Sequence, residues 1–286
     1  MLHEILEKSK ESLVICFNGV GSAFSKRNGQ TSLIIAKNGL TILVDIGTYV
    51  PRQLAMNNIS ICDLDYFLIT HQHFDHCGGV EEMLLTHRYI ANKRPKFIIT
   101  ESQEDSLWEK TLRGGCSHSD SGALRFTDYA QPIRPLYMES QKREMVHFDI
   151  EGIDLLTFRT AHVPECVING SIEPFWTIGL QVDGKVVFTG DSKYDPKIFS
   201  DLNMTNVKAI FHDCQLFNQS NNIGNRNAAH AAYDDLAILP ESIREKIYLC
   251  HYGDNWDSLD EEGKRIFLPK ERGFRGFTER WRIYQF

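Results

Sequence analysis

No apolar run in the 286 residues approaches the ~20 needed to span a bilayer, and no two of the seven cysteines form a CxxC pair. The first absence excludes a membrane-spanning helix, and the second argues against a cysteine-rich structural zinc site. The cysteines are odd in number and scattered, so a secreted disulfide framework is not expected either. Basic charge is also short. Lys and Arg total 31 against 38 Asp and Glu, a formal net charge of −7. A protein that grips nucleic acid by neutralising phosphates carries the opposite balance or a dense basic stripe. Three glutamates precede the first apolar run of MLHEILEKSKESLVICF, the wrong charge for a secretory signal, so a cytoplasmic location is expected. No Pro/Gly/Ser linker, repeat or low-complexity tract interrupts the chain, and a single domain over 1–286 is expected.

What is present is a globular mixture, 42% hydrophobic and 24% charged, in which β-rich runs alternate with helical patterns. Residues 12–17 (SLVICF), 32–36 (SLIIA), 41–46 (TILVDI) and 66–70 (YFLIT) read as strands bounded by Gly, Asn and Asp. A short helix entered through Pro51 is expected at 50–56, a helix at 80–89, a strand at 96–100 and a helix at 104–112. The second half gives strands at 145–150, 153–160, 176–182, 185–189, 206–211 and 246–250, with a hairpin turn at Asp183-Gly184. A helix is expected at 229–236, and the terminal IYQF reads as an edge strand. The least regular part is 101–142, centred on the polar loop 114–122 (GGCSHSDSG). Strands in two blocks with helices outside predict an α/β fold of two sheets packed face to face.

The chemistry is concentrated in THQHFDH. His71 and His73 are two apart, so an extended chain points both imidazoles the same way, and Asp75 and His76 follow where a loop begins. Four ligand-type side chains in six residues need partners if buried, and a divalent metal supplies them; the bland alternative is a solvated polar loop. One metal takes three or four ligands, so later positions must contribute to a two-metal site. His162, Asp191 and His251 each stand just beyond an apolar strand, and Gly190 allows close backbone approach beside Asp191. His3, His87, His118 and His147 lack such a pattern and read as surface residues. His212 and Asp213 follow a strand and read as supporting groups.

The ordered set HxHxDH, His, Asp, His resembles the metallo-β-lactamase fold superfamily, and the likeness runs from about Phe17 to His251. It implies an αβ/βα sandwich of four layers with metals at one end. Within that superfamily the chain looks most like the ribonuclease Z and phosphodiesterase branch. The glycine-bearing first loop FNGVGSAFSKRNGQTS, with its Arg27-Asn28 pair, and the FTGDS motif carry that likeness. The resemblance implies that His71, His73 and His162 hold one metal, that Asp75, His76 and His251 hold a second, and that Asp191 bridges them. It also places His230, 21 residues before His251, near the substrate phosphate. Two divalent ions, zinc by default with manganese or iron as alternatives, and two carboxylates leave a local charge of about +2, suited to an anionic substrate. Such a pair makes hydroxide from a shared water, Asp75 orients that water, and His230 donates a hydrogen bond or proton.

The chain departs from ribonuclease Z in its first loop, which continues into LVDIGTYVPRQ, and in a second place. Those enzymes carry a long basic arm between the third histidine and the bridging aspartate. Here His162 and Asp191 are 29 residues apart, most of them needed for strands. Transfer RNA is therefore not the expected substrate, and a small or cyclic phosphodiester is. Rival readings are a thioester or lactone hydrolase with the same metal set, an RNA-processing nuclease, and a non-catalytic metal sensor. Arg27 and His230, as phosphate contacts, favour the phosphodiester. The aromatic C-terminal segment (Phe274, Phe277, Trp281, Tyr284, Phe286) reads as core packing, with a cover over the site or a homodimer contact as the alternatives.

Overall fold

In the computed structural model, which describes residues 1–120, 122–140, 142–164, 166–168, 171–173, 175–216 and 229–286, contacts fall into two units, each built on its own large sheet. Ser121, in the polar loop 114–122, lies outside the described residues.

The first unit comprises Met1–Gly19, Gly29–Leu136 and Arg280–Phe286. Its seven strands run in the spatial order Ile283–Gln285, Val14–Gly19, Ser32–Lys37, Leu40–Val44, Tyr66–Leu68, Lys96–Ile98 and Gln131–Ile133. Pairing is antiparallel as far as Leu40–Val44 and parallel beyond it. Register aligns Cys16, Ile34, Leu43, Phe67 and Phe97 in one row across five strands. Ile5, Leu54, Met83, Leu84 and Leu107, from four helices, join that row in one buried cluster. The apolar alternation of each strand therefore becomes a continuous face, and the helices cover it.

Several boundaries differ from the expected ones, for identifiable reasons. The helix expected from residue 104 begins at Glu101. Thr100 Oγ1 accepts from Gln103 N–H, and the Gln103 side chain accepts from Thr100 N–H, a capping box that fixes the start earlier. Val80–Thr86 continues through a widened π-type turn to Ala91 and ends on Asn92 at φ 50°. His87, expected at the surface, is buried there. Its Nδ1–H donates to Met83 O at 2.8 Å, its ring meets Phe67 edge-on, and burial pulls its pKa below the ordinary imidazole value. Gln131–Ile133 was not expected as a strand. Its Pro132 is tolerated because this is the sheet edge.

The second unit comprises Val20–Asn28 and Tyr137–Glu279. Its eight strands run Gly276–Phe277, Ile247–Cys250, Ala209–Asp213, Val186–Phe188, Ile178–Val182, Ile153–Arg159, Met145–Ile150 and Tyr137–Glu139. The first four pair in parallel and the rest antiparallel. Asp183 and Gly184 turn the expected hairpin with φ of 50° and 64°, the paired left-handed backbone of a type I′ turn. Gly179 is required sterically, because a Cβ there would lie 2.4 Å from the Phe158 ring.

The helix expected at 229–236 is shorter than its sequence suggests, spanning only Tyr233–Leu236. Ala231 N–H donates to Ser192 O and Gln215 N–H donates to Ala231 O, so the backbone ahead of it is committed to neighbouring chain. His230 therefore sits at a bend outside any helix. Phe274 packs near Tyr233 and Phe277 against Tyr252, while Trp281 lies on the core of the first unit. Among the described residues, no helix is long and apolar enough to cross a membrane.

Candidate metal centre

In the first unit the THQHFDH segment leaves strand Tyr66–Leu68 and enters the short helix Phe74–Cys77, with His73 extended at its start. His71 Nε2 lies 3.0 Å from His73 Nδ1, the approach expected of two imidazoles on one side of an extended chain. Asp75 and His76 are buried on the helix turn, with His76 Nε2 3.2 Å from Asp75 Oδ2. The other nitrogen of His76 is taken: Nδ1 lies 2.7 Å from Asp45 Oδ2. Asp45 also accepts from Thr70 N–H at 2.6 Å and from the Thr70 hydroxyl. Its complete burial pushes its pKa up, against the pull of His76 and Thr70.

In the second unit, His162, Asp191 and His251 stand at strand exits and are buried. His162 Nδ1–H donates to Ala229 O at 2.7 Å, while Nε2 lies 3.8 Å from Asp191 Oδ2. His251 Nε2 is 3.4 Å from Asp191 Oδ1 and its Nδ1 is 3.5 Å from Asp213 Oδ1. Gly190, at φ 57°, makes the turn that brings Asp191 back. His230 Nδ1 lies 2.7 Å from Asp213 Oδ2, and its ring stacks on His251 at 4.8 Å. Asp191, Asp213, His230 and His251 each offer a ligand-type atom within 4.8 Å of the others.

The electrostatics follow from burial and pairing. Burial alone would raise the Asp213 carboxyl, but the charge and hydrogen bond of His230 outweigh it and hold it below the ordinary value. His230 responds in the opposite sense: desolvation would lower it, and Asp213 raises it above the usual imidazole value. Both shifts arise from the contact of His230 Nδ1 with Asp213 Oδ2 at 2.7 Å. His162, more dominated by burial, is pulled down.

These residues fit metal ions chemically. His76 and His162 each commit Nδ1 to a carboxylate or carbonyl, which fixes the ring and leaves Nε2 as the atom able to meet a metal. Buried carboxylates beside those rings need compensating positive charge. The oxygen and imidazole donor set suits zinc, manganese or iron.

The supporting role expected of Asp213 takes a definite form, since it contacts both His230 and His251. Asp45 is missed; the signal was a carboxylate interrupting the apolar run TILVDI at a strand exit. Arg27, expected at the phosphate, is paired by both terminal nitrogens with Asp257, at 2.9 and 2.6 Å.

The profile of the family "Anti-Pycsar protein Apyc1" matches residues 13–284. An anti-Pycsar protein Apyc1 of Bacillus phage vB_BsuM-Goe3 is 32% identical over 277 residues, covering 94% of this chain and 98% of the relative. The chain belongs to the Apyc1 family. Another member, from Paenibacillus harenae, is 28% identical over 89% of this chain and 96% of its own length. Family membership makes the chain a metal-dependent hydrolase of phosphodiesterase type. Among solved structures, the metallo-β-lactamase fold protein YhfI from Bacillus subtilis is similar with a TM-score of 0.65. It is 14% identical and the match covers 96% of this chain and all of YhfI. The fold is therefore the metallo-β-lactamase fold that the HxHxDH pattern implied.

Proposed function

We propose that the chain opens a small cyclic phosphodiester, a cyclic nucleotide, at a pair of divalent cations. His71, His73 and His162 would hold one cation, Asp75, His76 and His251 the other, with Asp191 shared. When bound, such a pair supplies water ionised near neutrality and a Lewis acid for the phosphoryl oxygen. Zinc is the default occupant, with manganese and iron compatible with the same donors.

The observation that carries the phosphodiester reading is the buried His230–Asp213 pair, whose His230 ring stacks on His251. Asp213 holds the ring by Nδ1 and leaves Nε2 to meet a ligand. A protonated imidazole in that setting stabilises a phosphoryl oxygen and hands a proton to the alkoxide that departs when the ring opens. A thioester or lactone develops its charge on one carbonyl oxygen and has less use for a second cationic donor. The relatives' anti-Pycsar name and the small, anionic character expected of the substrate agree with a cyclic nucleotide. The net charge of −7 argues against transfer RNA, and the scattered cysteines support a cytoplasmic setting.

The test is a substrate panel with the zinc- and manganese-loaded protein: cyclic nucleotides and bis(p-nitrophenyl) phosphate beside thioesters and lactones. Phosphodiester turnover that disappears on chelation and returns with metal is the expected result. Faster turnover of the acyl substrates would overturn the assignment.

A further inference from the structure

His251 has φ 58°, a left-handed backbone that is uncommon for a residue with a Cβ. The chain after it is tied down at successive residues. Tyr252 O accepts from Ser22 N–H at 3.1 Å, and Tyr252 Oη donates to Thr278 O at 2.7 Å. Asn255 Nδ2 donates to Leu216 O at 2.7 Å. Between them, the Asp254 carboxylate collects a fan of donors from the loop Val20–Asn28. Ser25 Oγ donates to it at 2.5 Å, Lys26 N–H at 2.7 Å, Arg27 N–H at 3.2 Å and Asn28 Nδ2 at 3.3 Å. Arg27 closes the arrangement, donating from Nη1 to Asp254 O at 3.1 Å while its fork grips Asp257.

We infer that Asp254 is a positioning residue: it locks the first loop against the segment 252–257 and so keeps His251 in the backbone that aims its imidazole at the metal. This rests on the reading of His251 as a ligand. It also gives Arg27 a different task from phosphate binding, since its guanidinium and backbone N–H both serve the clamp. The loop that looks phosphate-binding in sequence spends its N–H groups on a carboxylate of its own unit. These bonds outweigh the burial of Asp254 and pull its pKa below the usual carboxylate value, so the clamp is ionised at neutral pH. A bidentate arginine adds direction, though an exposed ion pair by itself contributes little.

The experiment follows zinc release from the loaded full-length chain after addition of EDTA, using a chromophoric zinc dye. Asp254→Ala should release zinc roughly tenfold faster than wild type, the scale of effect seen when groups supporting a ligand are removed. Asp254→Asn should fall between, and Asp257→Ala and Arg27→Ala should show equal, smaller accelerations. Glu262→Ala, which breaks an exposed pair with Lys264 nearby, should behave as wild type. Wild-type release from both Asp254 variants overturns the clamp, whatever their melting temperatures. So does an Asp257→Ala variant with unchanged release and a lowered KM for bis(p-nitrophenyl) phosphate, because that would show a freed Arg27 binding phosphate. If Asp254→Ala does not fold, Asp254→Asn and Asp257→Ala decide the matter. A wild-type chain that holds no zinc sinks the ligand reading itself, a separate result.

Discussion

Asp45 and Asp213 perform the same task in their respective units, each fixing the Nδ1 of a site histidine from a buried position. The consequences of losing them differ. Asp45 faces His76 and both polar groups of Thr70, so Asp45→Ala strands three hydrogen-bonding groups in the interior. Breaking a buried pair from one side costs about 3 kcal/mol or more, and urea unfolding of the metal-free protein should show a loss of that size. Asp213→Asn, which keeps an oxygen for Ser192 N–H but loses the charge facing His230, should destabilise less than removal of the side chain and should reduce turnover, because its partner His230 is placed to act on substrate. His230→Ala should lower kcat by roughly 10²- to 10⁴-fold with metal content retained, measured by metal analysis beside kinetics. Equal metal loss in His230→Ala and Asp191→Ala would show His230 to be a ligand. At this scale the sequence is legible in placement: His162, Asp191 and His251 stand buried just beyond strands, as their spacing leads one to expect. Asp45 and Asp213 are harder to read, because an aspartate at a strand end equally suits a turn or a cap.

Helix ends and loops, the elements that carry the site, reflect contacts that sequence periodicity does not contain. The strands announce themselves through β-branched and aromatic runs, and their observed limits shift by a few residues where flanking backbone pairs elsewhere. Glu101–Leu107 starts three residues ahead of its expected position because Thr100 and Gln103 cap each other. Thr100→Ala should cost about 1 kcal/mol of stability, read from the urea midpoint. His230 lies outside the helix its alanine-rich surroundings suggest, since those alanines pair with Ser192 and Gln215 instead. The link between Asp254 and residues 25–28 spans more than two hundred positions, so no local pattern could reveal it. That link has a definite acid signature. The Asp254 pKa in the folded chain lies below its ordinary 3.8. Its contribution is therefore complete above that value and is lost as pH falls through the lowered one. The stability difference between wild type and Asp254→Asn should be constant from pH 7 to 5 and shrink below pH 4. A difference that grows with acid would contradict the assignment.

At the scale of the whole molecule, an acidic chain of net charge −7 is proposed to present a cationic centre to an anionic substrate. The metallo-β-lactamase fold was legible because its histidines and aspartates of ligand type are chemically conspicuous and occur in a fixed order along the chain. The sheet order was not, because parallel and antiparallel pairings produce similar apolar runs; the edge strands Gln131–Ile133 and Tyr137–Glu139 went unread because they are short and largely exposed. The histidine-rich turn lies in the first unit, and His162, Asp191 and His251 lie in the second. The central claim is that these residues hold two cations in common, with Asp191 between them. It is tested most directly by elemental analysis of the zinc-reconstituted protein and of Asp191→Ala. The account predicts about two equivalents per wild-type chain and the loss of at least one in the variant. Less than one equivalent in the wild type, or two retained without Asp191, would contradict it.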